Sequence, residues 1–139
     1  MEEHCARAAI MQHVVTELLA AISTADGERF RAQVTDDLKT EMPFAQPPFP
    51  THNEGGDKIA TAITGAKRLF SAFRLWATDV YPCAEKDALI IEARSKGDLV
   101  AGGEYANRYV FIFFFRGDRI CAWKEFFDPN LLPRIDGPR

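Results

Sequence analysis

The chain has 139 residues, enough for one domain and too few for two ordinary ones. Apolar residues make up 47% and charged residues 27%, a composition that excludes a disordered or fibrous chain. Seventeen basic against twenty acidic side chains give a net charge of −3, which excludes a nucleic-acid binder acting through a strong basic field, because counterion release needs clustered Lys and Arg.

The opening Met1-Glu2-Glu3-His4 is acidic and lacks the basic-then-apolar pattern of a signal peptide. No continuous apolar run approaches the ~18–20 residues of a membrane span, so no membrane partner is expected. Cys5, Cys83 and Cys121 are an odd, unclustered set without CxxC spacing, which points to neither a disulfide framework nor a zinc site. A reducing cytoplasm and a chain without metal or other cofactor are expected.

Ile10, Val14, Leu18 and Ile22, with Met11, Val15 and Leu19 beside them, form one apolar stripe at helical spacing. Ser23–Gly27 breaks that helix, and Asp26 caps a shorter one through Phe30 and Val34. Asp36-Asp37 closes it before an extended Leu38–Phe44. Residues 43–57 hold four prolines and Gly55-Gly56, and read as a long loop that rims or covers a site. Ile59, Ile63, Ala66, Phe70 and Phe73 then predict a third helix. From Trp76 onward the period shortens. Ala77–Ala84, Ala88–Ser95, Glu104–Arg116 and Arg119–Phe127 read as strands joined at Lys86-Asp87, Lys96-Gly97-Asp98 and Arg116-Gly117-Asp118. Helices followed by a meander of four or five strands is an α+β pattern, with three helices on one face of a mainly antiparallel sheet.

Strand side chains alternate faces. Tyr105, Asn107, Tyr109, Phe111 and Phe113 share one face of their strand, and Val110, Ile112 and Phe114 share the other. Both faces are apolar and the helices cover only one. A homodimer through the outer face is expected, the alternative being cover by loops and the tail 129–139. In the last strand Cys121, Trp123, Glu125 and Phe127 alternate with Ala122, Lys124 and Phe126. Lys124 marks the outer set, so Glu125 faces inward between two aromatic rings, where an unpaired carboxyl holds its proton more tightly. An apolar pocket with a few convergent polar groups is the form of a small-molecule site. The alternative is an ion pair between Glu125 and Arg94 or Arg108.

The runs Asn107-Arg108-Tyr109-Val110-Phe111, Arg116-Gly117-Asp118-Arg119-Ile120 and Trp123-Lys124-Glu125-Phe126-Phe127-Asp128-Pro129 resemble the C-terminal hairpin of SnoaL-like proteins. Glu41-Met42-Pro43-Phe44-Ala45-Gln46-Pro47-Pro48 resembles a second recurrent stretch of that family. The order of elements matches over about residues 5–130. The resemblance implies the nuclear-transport-factor-2-like fold, a conical half-barrel of curved sheet wrapped around three N-terminal helices. It also implies a hydrophobic cavity and the chemistries the superfamily hosts: ketosteroid isomerisation, polyketide cyclisation, epoxide hydrolysis, phenazine biosynthesis and binding without turnover.

By this resemblance Met42 stands where ketosteroid isomerase has its aspartate base, and Leu18 where it has the oxyanion-hole tyrosine. Asn107 stands at the protonated aspartate, from which it could still donate to an oxyanion. Glu125 falls on a catalytic carboxylate of limonene epoxide hydrolase, while the Arg and Asp that complete that site fall on Ala93 and Ser95. In the phenazine proteins a glutamate at the Glu125 position looks functional, but their helix histidine has no counterpart between Ile63 and Arg74. The expectation is a cofactor-free acid/base isomerase or cyclase acting on a hydrophobic, oxygenated small molecule of secondary metabolism. Glu125 is its proton carrier and Asn107 its second catalytic residue. Tyr109, Trp123, Phe44, Phe70, Phe73, Phe111, Met42, Leu18 and His52 line the substrate site. A non-catalytic ligand-binding or assembly module is the alternative, and epoxide or other hydrolysis the third reading.

Overall fold

The computed structural model describes residues 2–132. Its elements run α1 (Glu2–Ser23), α2 (Gly27–Ala32), β1 (Val34–Glu41), β2 (His52–Glu54), α3 (Gly56–Gly65), β3 (Phe70–Cys83), β4 (Ala88–Leu99), β5 (Glu104–Arg116) and β6 (Arg119–Phe127). The six strands form one curved, unclosed sheet in the order β2-β1-β6-β5-β4-β3. All neighbours pair antiparallel except β1 and β6, which are parallel. The α+β architecture with N-terminal helices packed inside a curved sheet is the expected one, with six strands rather than four or five.

The helices occupy the concave face because their apolar stripes have nowhere else to go. Met11, Val14, Val15, Leu18, Leu19 and Ala21 are the buried side of α1. By length and composition α1 is apolar enough to cross a bilayer, against the expectation that no segment is. The same test is met by a core helix, and this one spends its apolar side on Phe111, Phe113 and the rest of the core. The rings of Phe111 and Phe113 stack at 5.3 Å, and Trp123 sits edge-on to both Phe113 (5.8 Å) and Phe30 (5.9 Å). Each of these fully buried side chains contributes roughly 1.5–3 kcal/mol.

Several boundaries differ from the sequence expectation, each for a local reason. Asp26 does cap α2, its carboxylate accepting from the Arg29 N–H at 3.0 Å, but the helix stops at Ala32 and Val34 already belongs to β1. Asp36 and Asp37 lie in a register break of β1 against β6, where they pair with Arg31 and Arg116 rather than ending a helix. β1 ends at Glu41, short of Phe44, and the Pro-rich stretch contributes β2, which pairs antiparallel with β1.

The third helix ends at Gly65, and Phe70 and Phe73 belong to β3. A register shift between Phe70 and Ala72 places two rings three residues apart on one face, a spacing that reads as helical in the sequence. Lys96-Gly97-Asp98 is not a turn but part of β4. Gly97 is opposite Phe73, and a Cβ there would come within 2.9 Å of both the Phe70 and Phe73 rings. That glycine makes room for two aromatic side chains. The β4–β5 turn falls later, at Gly102 and Gly103, whose φ values of +102° and +89° suit residues without a Cβ.

Candidate active site

The polar groups of the concave face collect at one end of the sheet, where β4 and β6 finish and β3 and β5 begin. Ser95, Tyr105, Asn107 and Tyr109 are all buried there. Their side chains form one chain of hydrogen bonds. The Asn107 amide donates to Tyr105 Oη at 2.8 Å, Tyr105 Oη meets Tyr109 Oη at 3.2 Å, and Tyr109 Oη meets Ser95 Oγ at 2.7 Å. Burial pushes both phenols above their ordinary pKa, and the nearby Glu125 charge pushes them further. Both tyrosines are therefore neutral across the physiological range and act as hydroxyl donors and acceptors, never as phenolates.

Glu125 lies on the concave face opposite Phe111, flanked on its own strand by Trp123 and Phe127. Glu125 keeps part of its surface exposed, yet its carboxyl is crowded by protein on most sides, and this desolvation raises its pKa from 4.5 to about 7, partly offset by a hydrogen bond from the Trp123 indole N–H to Oε1 at 3.3 Å. Among the described residues no cation pairs with it. Arg94 and Arg108, opposite one another on β4 and β5, are exposed on the other face of the sheet, so the ion-pair alternative does not hold. The strand alternation that exposes Glu125 to the interior begins only after a register shift between Phe114 and Phe115, which leaves Cys121 as an extra residue in β6.

Asn107 is differently placed from its expected role. Its second N–H donates to the Asp128 carbonyl at 3.0 Å, and its oxygen accepts from the Arg108 and Asp128 N–H groups at 2.8 and 3.1 Å. Both donors are thus spent inside the protein, and an oxyanion would find none free. Asn107 ties the exit of β6 to β5. Ser95, Tyr105 and Tyr109 share two hydrogen bonds among three hydroxyls, so this cluster keeps one O–H free to donate.

The other expected site residues divide. Phe70 and Phe73 line a cleft of about 380 Å³ between Ile22–Ala25 and the start of β3, and the Phe70 ring contacts Tyr105 at 5.8 Å. Met42 packs against the core at the exit of β1, and Phe111 and Trp123 are core residues beside Glu125. Leu18 is wholly buried and presents no surface to a ligand. Phe44 is 55% exposed and packs on Phe126, on the face opposite Glu125, so it does not line the interior. His52 is exposed on the edge strand β2 opposite Glu41, with only Thr51 Oγ1 near its Nδ1 at 3.3 Å. It is not brought to the site. Trp76 lies on the outer face of β3, beneath the Arg74 guanidinium at 4.6 Å.

Sequence reasoning missed Ser95 as a partner of Tyr109 and Thr40 as a buried hydroxyl opposite Trp123. Ser95 was accessible by strand parity, since it shares a face with Leu89, Ile91 and Ala93. No group of three or more metal-ligating side chains occurs among the described residues.

The model of the SnoaL-like domain matches residues 15–123. The chain belongs to the SnoaL-like family. No curated protein matches it significantly. Among solved structures, this SnoaL-like chain is similar to an isomerase, so assigned provisionally, from Bacillus subtilis, at 21% identity and TM-score 0.78 over 90% of this chain and 91% of that one. An LEH-like epoxide hydrolase from M. tuberculosis is similar at 18% identity and TM-score 0.72, covering 89% of this chain and 86% of that one. A phenazine biosynthesis-related protein from Pseudomonas aeruginosa is similar at 15% identity and TM-score 0.78, covering 99% of both. At these identities the likeness establishes the shared NTF2-like fold, a fold that isomerases and hydrolases both use.

Proposed function

We propose that this protein is a small-molecule acid/base enzyme of the SnoaL-like type, moving a proton within a hydrophobic, oxygenated substrate in an isomerisation or cyclisation. The observation that carries the reading is Glu125: a carboxyl on the concave face, without a cationic partner among the described residues, whose proton affinity lies near neutrality. A group with a pKa close to the working pH gives and takes a proton with comparable ease. Its surroundings of Trp123, Phe111 and Phe127 suit an apolar substrate. The hydroxyl cluster of Tyr105, Tyr109 and Ser95, its phenols kept neutral by burial, has one O–H left to donate to a substrate oxygen that gains charge, the part first expected of Asn107. The cleft beside Phe70 and Phe73 is lined by neither Glu125 nor the two tyrosines, but the Phe70 ring in its wall touches that of Tyr105, and we favour displacement of these rings as the route of entry.

The test is solvent-deuterium incorporation, followed by NMR, into a panel of apolar cyclic ketones and β,γ-enones. Label entering with the unaltered chain and not with Glu125→Gln supports the reading, and equal incorporation by both removes Glu125 from the chemistry. Binding without turnover is the second reading, favoured by the satisfied state of Asn107. It predicts a bound ligand and no incorporated label.

We also propose a homodimer through the outer face. Val110, 38% exposed, and Ile112 and Phe114 leave an apolar band there. The adjoining row carries Arg94 and Arg108 opposite one another, and Glu92, opposite Asp79, stands beside Val110 in the band's own first row. The unpaired Cys5, Cys83 and Cys121 fit the reducing cytoplasm we propose as its setting.

A further inference from the structure

We propose that Trp123 is the positioning residue of Glu125: its indole N–H fixes one carboxyl oxygen, so that proton exchange runs through the other. The inference rests on Glu125 being the proton carrier and adds which atom carries the proton. Nε1 of Trp123 lies 3.3 Å from Oε1, while Oε2 has no hydrogen-bond partner among the described residues. The two side chains are two residues apart on one strand and share the concave face.

The indole cannot follow the carboxyl if the latter moves. It is only 6% exposed and is held edge-on by Phe30 and Phe113. An indole nitrogen donates and never accepts, so Oε1 is the acceptor whether Glu125 is ionised or neutral. The carbonyl oxygen of a neutral carboxyl is the better acceptor, so the indole bond to Oε1 favours the acid proton on Oε2. A carboxyl free to rotate would offer either oxygen at random, whereas this one offers a single oxygen in a constant direction.

The groups around Glu125 do not compete for this role. The titratable groups near it on β5 are Tyr105 and Tyr109, and both stay protonated; Asp128 lies just beyond the end of β6. Lys124, Arg108 and Arg94 are exposed on the outer face. The helices bring only apolar side chains to the core: the buried face of α1, Phe30 of α2, and Ile59 and Ala60 of α3.

The chain contains two tryptophans, Trp76 and Trp123, so their indole ¹H–¹⁵N resonances are assigned with one variant, Trp76→Phe. In the uniformly labelled full-length protein, the Trp123 indole signal is expected to shift in one step with a midpoint near pH 7, and to lose that step in Glu125→Gln. In Trp123→Phe, the Glu125 carboxyl, read by ¹³C labelling of glutamate, is expected to titrate roughly half to one pH unit higher, because a donor favouring the anion is gone. If that variant does not fold, the indole titration of the unaltered protein decides alone. An indole signal that stays flat while the Glu125 carboxyl titrates near neutrality overturns the positioning role and leaves the proposed function standing. A Glu125 carboxyl titrating at its ordinary value overturns both.

Discussion

Replacing Glu125 by Gln should stabilise the protein at alkaline pH and leave it unchanged at acid pH. Gln preserves the shape of the neutral carboxyl and the acceptor for the Trp123 N–H, and removes only the ability to ionise. In the folded chain the carboxyl pKa is raised from 4.5 to about 7 by burial. The native state therefore holds a proton that the unfolded chain releases between those two values. Stability from this group is complete below pH 4.5, falls as pH rises through the window and is level again above about pH 7. At ~1.4 kcal/mol for each tenfold change in proton affinity, the full fall is about 3 kcal/mol. Urea unfolding of both proteins at pH 4.5 and pH 8.5 measures it: equal stability at the lower value, and Glu125→Gln more stable by up to about 3 kcal/mol at the higher. An ion pair predicts the opposite sign, since Gln would leave an arginine unpaired. A variant less stable than the parent at pH 8.5, or a gap that does not change with pH, would refute the account of Glu125 as a desolvated, unpartnered acid.

Asn107→Ala removes four hydrogen bonds, two tying β5 to Asp128 and two within β5 to Tyr105 and the Arg108 N–H, and should cost roughly 2–4 kcal/mol in urea unfolding. A loss below half a kcal/mol would show that the exit of β6 does not depend on it. Gly97→Ala drives a methyl group into the Phe70 and Phe73 rings and should cost about 1–3 kcal/mol, with a change in the near-ultraviolet circular dichroism of those rings. Ile112→Lys places a charge in the middle of the outer apolar band. Sedimentation velocity should give a dimer for the parent and a monomer for the variant, and a monomeric parent at micromolar concentration would dismiss the proposed interface.

Alternation along β5 and the latter half of β6 was legible from residue order because side-chain direction in a strand depends only on parity. It set Tyr105, Asn107, Tyr109, Trp123 and Glu125 on one face, and the motif resemblance named the fold they belong to. Parity could not supply the places where the register slips. The shift near Phe70 disguised a strand as a helix, and the extra residue at Cys121 is visible only once β5 lies beside it. Nor could it say where hydrogen bonds end. Asn107 looks like a free amide in sequence and is fully occupied in the fold, because its partners include backbone groups 21 residues away. Residue order thus determined which side chains could meet on the concave face, since that is a local property of the chain. Only the packed structure decided which of them keep a free valence and which are shut off from water, because desolvation and hydrogen-bond saturation are imposed by neighbours distant in sequence.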